Sequence, residues 1–209
     1  MKVFDGRKIQ KEILAKIKKR LEKIDYQPTL AVIWVGNDPI SARYVAIKQR
    51  IAEDLGIHFD IYKYSTDVEI EELISKIKEL NLEKKVDGIM IQMPLPSRVD
   101  SIKIISEIDP KKDVDGFHPL NFGRMAQGLP AFLPATPSGI LQMLERYKIE
   151  TDGKHCVVIG RSNIVGNPMS ILMARKAYPG NSTVTLVHSR TNNLDEIVKQ
   201  ADIIIAAIG

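Results

Sequence analysis

The sequence predicts an α/β fold: an N-terminal three-layer α/β catalytic domain followed by a Rossmann-like dinucleotide-binding domain. Three observations carry that prediction. Short apolar runs alternate with helical periodicity through residues 5–92 in the order α-β-α-β-α-β, the pattern of a parallel sheet covered by helices. The run 86–92 is largely apolar, as in a strand buried on both faces. A second alternation opens on Cys156-Val-Val-Ile-Gly-Arg-Ser-Asn-Ile-Val-Gly166, where an apolar run gives way to a glycine turn and a helix start.

Taken in order, Asp5 is placed to cap a helix running to about Lys23, whose Ile9, Ile13, Ile17, Leu21 and Ile24 recur at spacings of three and four. A strand over 30–35 ends in Gly36-Asn-Asp-Pro39, and a helix from Ser41 to Leu55 is stopped by Gly56. A strand at 59–64, a helix at 70–80 and the strand at 86–92 complete the first unit, with a short helix at 101–107 after it. Residues 108–135 show little periodicity and read as a long loop, the kind that usually carries function. Thr136-Pro137 starts a helix through Tyr147, with Pro137 at its first position, and this helix is expected to bridge the domains. The second unit then reads as a strand at 156–159, a helix beginning near Pro168 and ending at Ala177, and strands at 183–188 and 203–208. The expected division is residues 1–137 and 138–209.

Composition narrows the class. With 44% hydrophobic and 27% charged residues the chain has the balance of an ordinary soluble globular protein. Its net charge of +4 is mild, and Lys16, Lys18, Lys19, Arg20 and Lys23 gather on one helix without interleaved aromatics. That is a solvated helix face, so no nucleic-acid partner is expected. One cysteine excludes an internal disulfide and suits a reducing, cytoplasmic setting. No secretory leader and no membrane-spanning run is seen, so no membrane partner is expected. His58, His118, His155 and His188 lack metal-ligand spacing, and no metal is expected.

Chemistry concentrates at a few positions. Gly160 and Gly166 bracket a turn whose amides and helix dipole suit a phosphate, although Ser162 replaces the middle glycine of the usual G-x-G-x-x-G. A plain β–turn–α corner is the other reading. At the end of the next strand, where an acid would read the ribose of NAD, stand Ser189 and Arg190. Together with Arg161 they offer two guanidinium groups and a hydroxyl, which suits the 2′-phosphate of NADP, unless both arginines are solvated loop residues. Tyr44 and Lys48 share one helix face, in line with Ile51 and Leu55. A lysine on an apolar stripe either snorkels to water or is paired within the protein. Gln92 ends a strand before Met93-Pro-Leu-Pro96, where it can bond a ligand or a lysine, or simply cap the strand; Pro94 or Pro96 is a candidate cis proline. Asp113 and Asp115 can bind a polarised ring nitrogen or hold a lysine, or close their own turn.

Five blocks in this order, Tyr44-Val-Ala-Ile-Lys48, Asp87-Gly-Ile-Met-Ile-Gln-Met-Pro-Leu-Pro96, Lys112-Asp-Val-Asp-Gly116, Thr136-Pro-Ser-Gly139 and Gly160-Arg-Ser-Asn-Ile-Val-Gly166, resemble the FolD-type bifunctional methylenetetrahydrofolate dehydrogenase/methenyltetrahydrofolate cyclohydrolases. The likeness spans the whole chain. It implies oxidation of 5,10-methylenetetrahydrofolate with NADP⁺, hydrolysis of the product to 10-formyltetrahydrofolate in one-carbon metabolism, and a homodimer. It implies that Lys48 is the catalytic lysine and faces an interdomain cleft, that Tyr44 stacks on the folate, and that Gln92 bonds Lys48 and tunes its protonation. Asp115 would anchor the pterin, and Gly160, Arg161, Ser162 and Ser189 would hold NADP, with Gly166 and Arg190 completing the cofactor set. Two departures stand out. Ala135 occupies a position where many members carry cysteine, and members continue past the equivalent of Gly209 with further strands, a glycine-rich loop and a terminal helix. The alternative expectation is therefore a shortened, catalytically impaired fragment that binds ligand or a partner.

Overall fold

The predicted alternation becomes two three-stranded parallel sheets, each the centre of its own compact unit. The computed structural model describes residues 3–208. One unit comprises Arg7–Val114; the other comprises the described N-terminal residues to Gly6 together with residues from Asp115 onward. The compact units thus part between Val114 and Asp115, whereas the motif-based division falls after residue 137.

In the first unit β1 (Thr29–Val35) lies between β2 (His58–Tyr64) and β3 (Gly88–Ile91). The register runs from Thr29↔His58 to Val35↔Tyr64 on one side and from Leu30↔Gly88 to Ile33↔Ile91 on the other. All four residues of β3 are buried, as its apolar run requires. The helices are α1 (Gly6–Leu21), α2 (Pro39–Leu55), α3 (Ile70–Leu82) and α4 (Ser101–Ile105). Ile33, Leu73, Ile77, Leu80, Ile89 and Ile104 form the fully buried centre. Of the stripe on α1 only Ile9 is buried, and Ile24 lies beyond the helix and is exposed.

Helix α2, which carries Tyr44 and Lys48, begins two residues before the expected Ser41. Pro39 is its first residue and Asp38 its cap, the carboxylate accepting from the Ser41 N–H at 2.7 Å. That bond from the Ser41 amide holds the Asp38 carboxyl below the usual carboxylate range. At the other end Gly56 adopts φ 76°, the left-handed conformation that its place after the helix requires.

The block 112–116 is anchored before it reaches Asp115. Ile89 pairs with Asp113 as an isolated parallel bridge, and the Ile89 N–H donates to Lys112 O at 2.7 Å. The Lys112 ammonium donates to the carbonyls of Leu80, Asn81 and Glu83 at 2.9, 2.9 and 2.8 Å. These acceptors cluster at the end of α3, where carbonyls lack intrahelical partners and attract a cation. Asn81 fastens the same segment, donating to Glu107 O at 2.7 Å and accepting from the Asp109 N–H at 2.9 Å.

In the second unit β4 (His155–Ile159) lies between β5 (Thr183–Val187) and β6 (Ile203–Ala206). Its helices are α5 (Pro119–Ala126), α6 (Ala135–Arg146), α7 (Gly166–Ala174) and α8 (Leu194–Lys199). Met125, Leu141, Cys156, Val158, Met169, Leu172, Met173 and Ile205 form the core. Burial pushes the Cys156 thiol up to about 11, which leaves it an inert core residue. The N-terminal segment joins this unit: the Asp5 N–H donates to Tyr147 Oη at 2.8 Å and the Phe4 and Tyr147 rings lie 4.3 Å apart.

Several expectations are corrected here. The stretch 108–135 contains α5, begun by Pro119 and capped by His118, whose Nδ1 accepts from the Leu120 N–H at 3.0 Å. Helix α6 starts at Ala135, so Pro137 is its third residue rather than its first. Helix α7 likewise starts at Gly166, before Pro168, and ends at Ala174 rather than Ala177. Proline is harmless at these positions because the first amides of a helix have no intrahelical acceptor. Helix α8 was not expected, and β6 ends at Ala206 rather than residue 208. The peptide bonds Met93–Pro94 and Tyr178–Pro179 are cis.

Candidate active site

Strand periodicity builds the first part of the site. Gly88, Met90 and Gln92 alternate onto one face, with Gln92 just past the carboxyl end of β3. Lys48 reaches that face from α2: its Nζ donates to Gln92 Oε1 at 3.0 Å and to Met90 Sδ at 3.2 Å. Gln92 is 6% exposed, and its Nε2 donates to Met93 O at 2.7 Å, which turns the carbonyl oxygen toward the lysine. The Gln92 N–H also donates to Ile33 O at 2.8 Å, so the residue is still tied to the sheet. Lys48 is therefore held by protein acceptors, and its amino group does not simply snorkel to water. Tyr44, one turn earlier on the same helix face, is 56% exposed and presents its ring to solvent.

Asp115 is half-buried and follows Asp113, which is 1% exposed, by two residues. Gly116 then turns the chain at φ 68°, where a Cβ would stand 2.5 Å from Phe132 O. Asp115 is the first residue of the second compact unit, and the other three candidates lie in the first.

The glycine turn of the second unit is tight because both glycines lack a side chain. Gly160 has φ 111° and a Cβ there would lie 2.3 Å from Ala207 O; a Cβ on Gly166 would lie 2.0 Å from Gly160 O. Ser162 closes the turn, its Oγ accepting from the N–H groups of Val165 at 3.2 Å and Gly166 at 3.4 Å. Two of the amides that the sequence reading aims at a phosphate are thus taken by Ser162, whose hydroxyl hydrogen is left to donate. Ile159 and Val187 are register partners on β4 and β5, so Arg161 and Ser189, each two residues further on, occupy matching places at the sheet's carboxyl edge. A second turn presents Ser189 and Arg190. The His188 N–H donates to Thr191 Oγ1 at 2.9 Å, and His188 Nδ1 accepts from the Arg190 N–H at 3.2 Å. Arg161, Ser162, Ser189 and Arg190 are all exposed. Two guanidinium groups and two hydroxyls without a carboxylate suit a doubly charged phosphate monoester, so this donor set fits NADP. Among the described residues no group of three or more His, Cys, Asp or Glu could hold a metal ion.

Two contributors escaped the sequence reading. Met90 touches Lys48, and its only signal was its place two residues before Gln92 on a strand. The His188–Thr191 turn was hidden because histidine is seldom counted among turn-closing side chains.

Two parallel α/β units, the second with a strand, a glycine turn and a helix in succession, form the framework of a nucleotide-binding α/β protein. The chain belongs to the tetrahydrofolate dehydrogenase/cyclohydrolase family. Residues 4–115 match its catalytic domain and residues 134–209 its NAD(P)-binding domain. Over 213 aligned residues the chain is 51% identical to the bifunctional protein FolD of Azobacteroides pseudotrichonymphae, covering all of this chain and 73% of that protein. It superposes with a TM-score of 0.92 on the bifunctional FolD methylenetetrahydrofolate dehydrogenase/cyclohydrolase of Campylobacter jejuni, at 38% identity, covering 98% of this chain and 73% of that one. The TM-score is also 0.92 for the N5,N10-methylenetetrahydrofolate dehydrogenase-cyclohydrolase of Trypanosoma brucei, complexed with NADP cofactor and inhibitor, at 31% identity with 100% and 72% of the chains covered.

Proposed function

We propose that this protein oxidises 5,10-methylenetetrahydrofolate to 5,10-methenyltetrahydrofolate with NADP⁺ and hydrolyses that product to 10-formyltetrahydrofolate. Lys48, Gln92, Tyr44 and Asp115 serve the folate; Gly160, Arg161, Ser162, Gly166, Ser189 and Arg190 serve the cofactor. The observation that carries the reading is the Lys48–Gln92 pair, 3.0 Å apart at the carboxyl end of a parallel strand.

The methenyl carbon is cationic, and water attacks it. A C–O bond forms and the water loses one proton; as the C–N5 bond then opens, the remaining hydroxyl proton passes to N5 and the formyl group stays on N10. Neutral Lys48 accepts the proton of the attacking water. Gln92 holds the amine through an oxygen that bears no charge, so it orients Lys48 without adding an anion beside the cationic carbon. The exposed Tyr44 ring stacks on the folate, and the Asp115 carboxylate accepts from the pterin's N–H groups. Bound NADP⁺ supplies the acceptor for the two electrons removed from the methylene carbon. Here the protein's task is positioning, and Arg161, Ser189 and Arg190 grip the 2′-phosphate for it. Residues 1–137 serve the folate and residues 138–209 the nucleotide.

Near-ultraviolet absorbance of the reduced nicotinamide tests the cofactor reading. Turnover with NADP⁺ is expected to exceed that with NAD⁺ in kcat/KM by roughly 10–100-fold, the scale of one or two charge-assisted hydrogen bonds. Arg190→Ala is expected to remove most of that preference. A preference for NAD⁺ in the unaltered protein would sink the assignment.

The family resemblance supports a homodimer, and the buried thiol supports a cytoplasmic, reducing setting. Light scattering is expected to return twice the 23.5 kDa chain mass. A monomer's mass at assay concentration overturns the dimer.

A further inference from the structure

The proton-acceptor role of Lys48 leaves a neighbour without a task. Met90 is 4% exposed, sits in the middle of β3 and places its sulfur 3.2 Å from Lys48 Nζ. Any apolar side chain of similar volume would fill the same space, but only methionine offers lone pairs there. Met90 and Gln92 are two residues apart on one strand face, so their acceptor atoms grip the lysine head from two points along β3.

We propose that Met90 is a positioning residue for Lys48: its thioether shares with the Gln92 carbonyl the task of holding the lysine head at the strand's carboxyl end. The assignment rests on the proposed role of Lys48. Two acceptors along the strand fix the last torsions of a side chain that is otherwise long and mobile. Each also favours the protonated amine over the neutral one, because a charged N–H is the stronger donor. A thioether is the weaker acceptor, so it holds the head in place while holding back less of the neutral form than a second oxygen would. The titratable groups on the adjoining segments are Arg43, Tyr44, Arg50, Glu53 and Asp54 on α2, Asp87 before β3, and Lys112 and Asp113 in the segment paired with β3. All of them are retained in the variants below.

Met90→Leu conserves volume and removes the acceptor. The readout is carbamylation of Lys48 by cyanate in the ligand-free protein, followed by peptide mass spectrometry across a pH series. Only the neutral amine reacts. Loss of one weak hydrogen bond is expected to speed labelling roughly threefold at pH values where the amine is mostly protonated. The two proteins should converge at high pH, where the amine is neutral in both. Loosened packing would instead speed labelling at every pH, and that result, like unchanged labelling, overturns the proposal. The rise of cyclohydrolase kcat with pH is expected to move to lower pH in step. Faster labelling with an unmoved pH profile supports the Met90 contact and refutes Lys48 as the proton acceptor, so the two readings fail separately. Met90→Ile, β-branched and suited to a strand, carries the same test should leucine perturb folding.

Discussion

Lys48→Met is expected to abolish cyclohydrolase turnover, with a loss in kcat of roughly a thousandfold. Methionine matches the length of the lysine stem and removes the only atom that can accept the water's proton in this reading. A positioned general base contributes about 10²–10⁴-fold, and the loss of orientation at Gln92 adds to that. Gln92 pays as well: its Oε1, in a residue only 6% exposed, loses a donor at 3.0 Å. An unsatisfied buried acceptor costs about 1–3 kcal/mol, so the variant should also melt several degrees lower. Lys48→Arg should not rescue turnover, since a guanidinium stays protonated and cannot take up a proton. The decay of methenyltetrahydrofolate absorbance in a folded variant is the measurement. Retention of a tenth or more of normal turnover would remove Lys48 from the proton-accepting role.

Gly166→Ala should be the most damaging single methyl group in the second unit. The added carbon would stand 2.0 Å from Gly160 O, 2.5 Å from Gly160 C and 2.9 Å from Arg161 N. All three are backbone atoms, so no side-chain rotation relieves the clash. Helix α7 must move away from β4, carrying with it Met169, Leu172 and Met173, which are almost completely buried. Overpacking of this kind costs about 1–3 kcal/mol in a yielding core, and more where backbone blocks backbone. The turn bearing Arg161 and Ser162 opens with it, so NADP affinity should fall by more than roughly tenfold. Gly123→Ala is the control. Gly123 lies within α5 with no atom beyond its chain neighbours and its own helix backbone inside 4 Å of the added carbon, and alanine there should be neutral or slightly stabilising. Calorimetric melting and NADP titration of both variants decide the matter; equal behaviour would refute the steric argument.

The elements legible in the sequence were those whose signals are local. Gly56 stops α2 because the left-handed conformation at φ 76° belongs there, and β3 announces itself by an apolar run that has no wet face. Local pattern places Lys48 on a helix face and Gln92 at a strand end, but their bond is an expectation of the family resemblance and not of either pattern. Starts marked by proline were misjudged by two residues, since proline is tolerated through the first turn and does not specify which position it fills. Helix α5 was hidden because its cap is a histidine, and the neutral ring's acceptor nitrogen does what a serine or aspartate usually does. Lys112 carries no local signal, because its contacts lie some thirty residues back in the chain, at a helix end that no local pattern connects to it. Met90 was invisible for a chemical reason, because a methionine in a buried strand looks like packing until a donor is found at its sulfur.

The attachment of the N-terminal segment to Tyr147 orders events on the ribosome. Residues 7–114 are contiguous, so that unit possesses every residue it needs once Val114 has emerged. The segment holding Phe4 and Asp5 is made before that unit but has its partner 142 residues downstream of Asp5. Domains generally fold as units during synthesis. Phe4 and Asp5 therefore wait, tethered to a unit already synthesised, until the helix preceding Tyr147 has been translated.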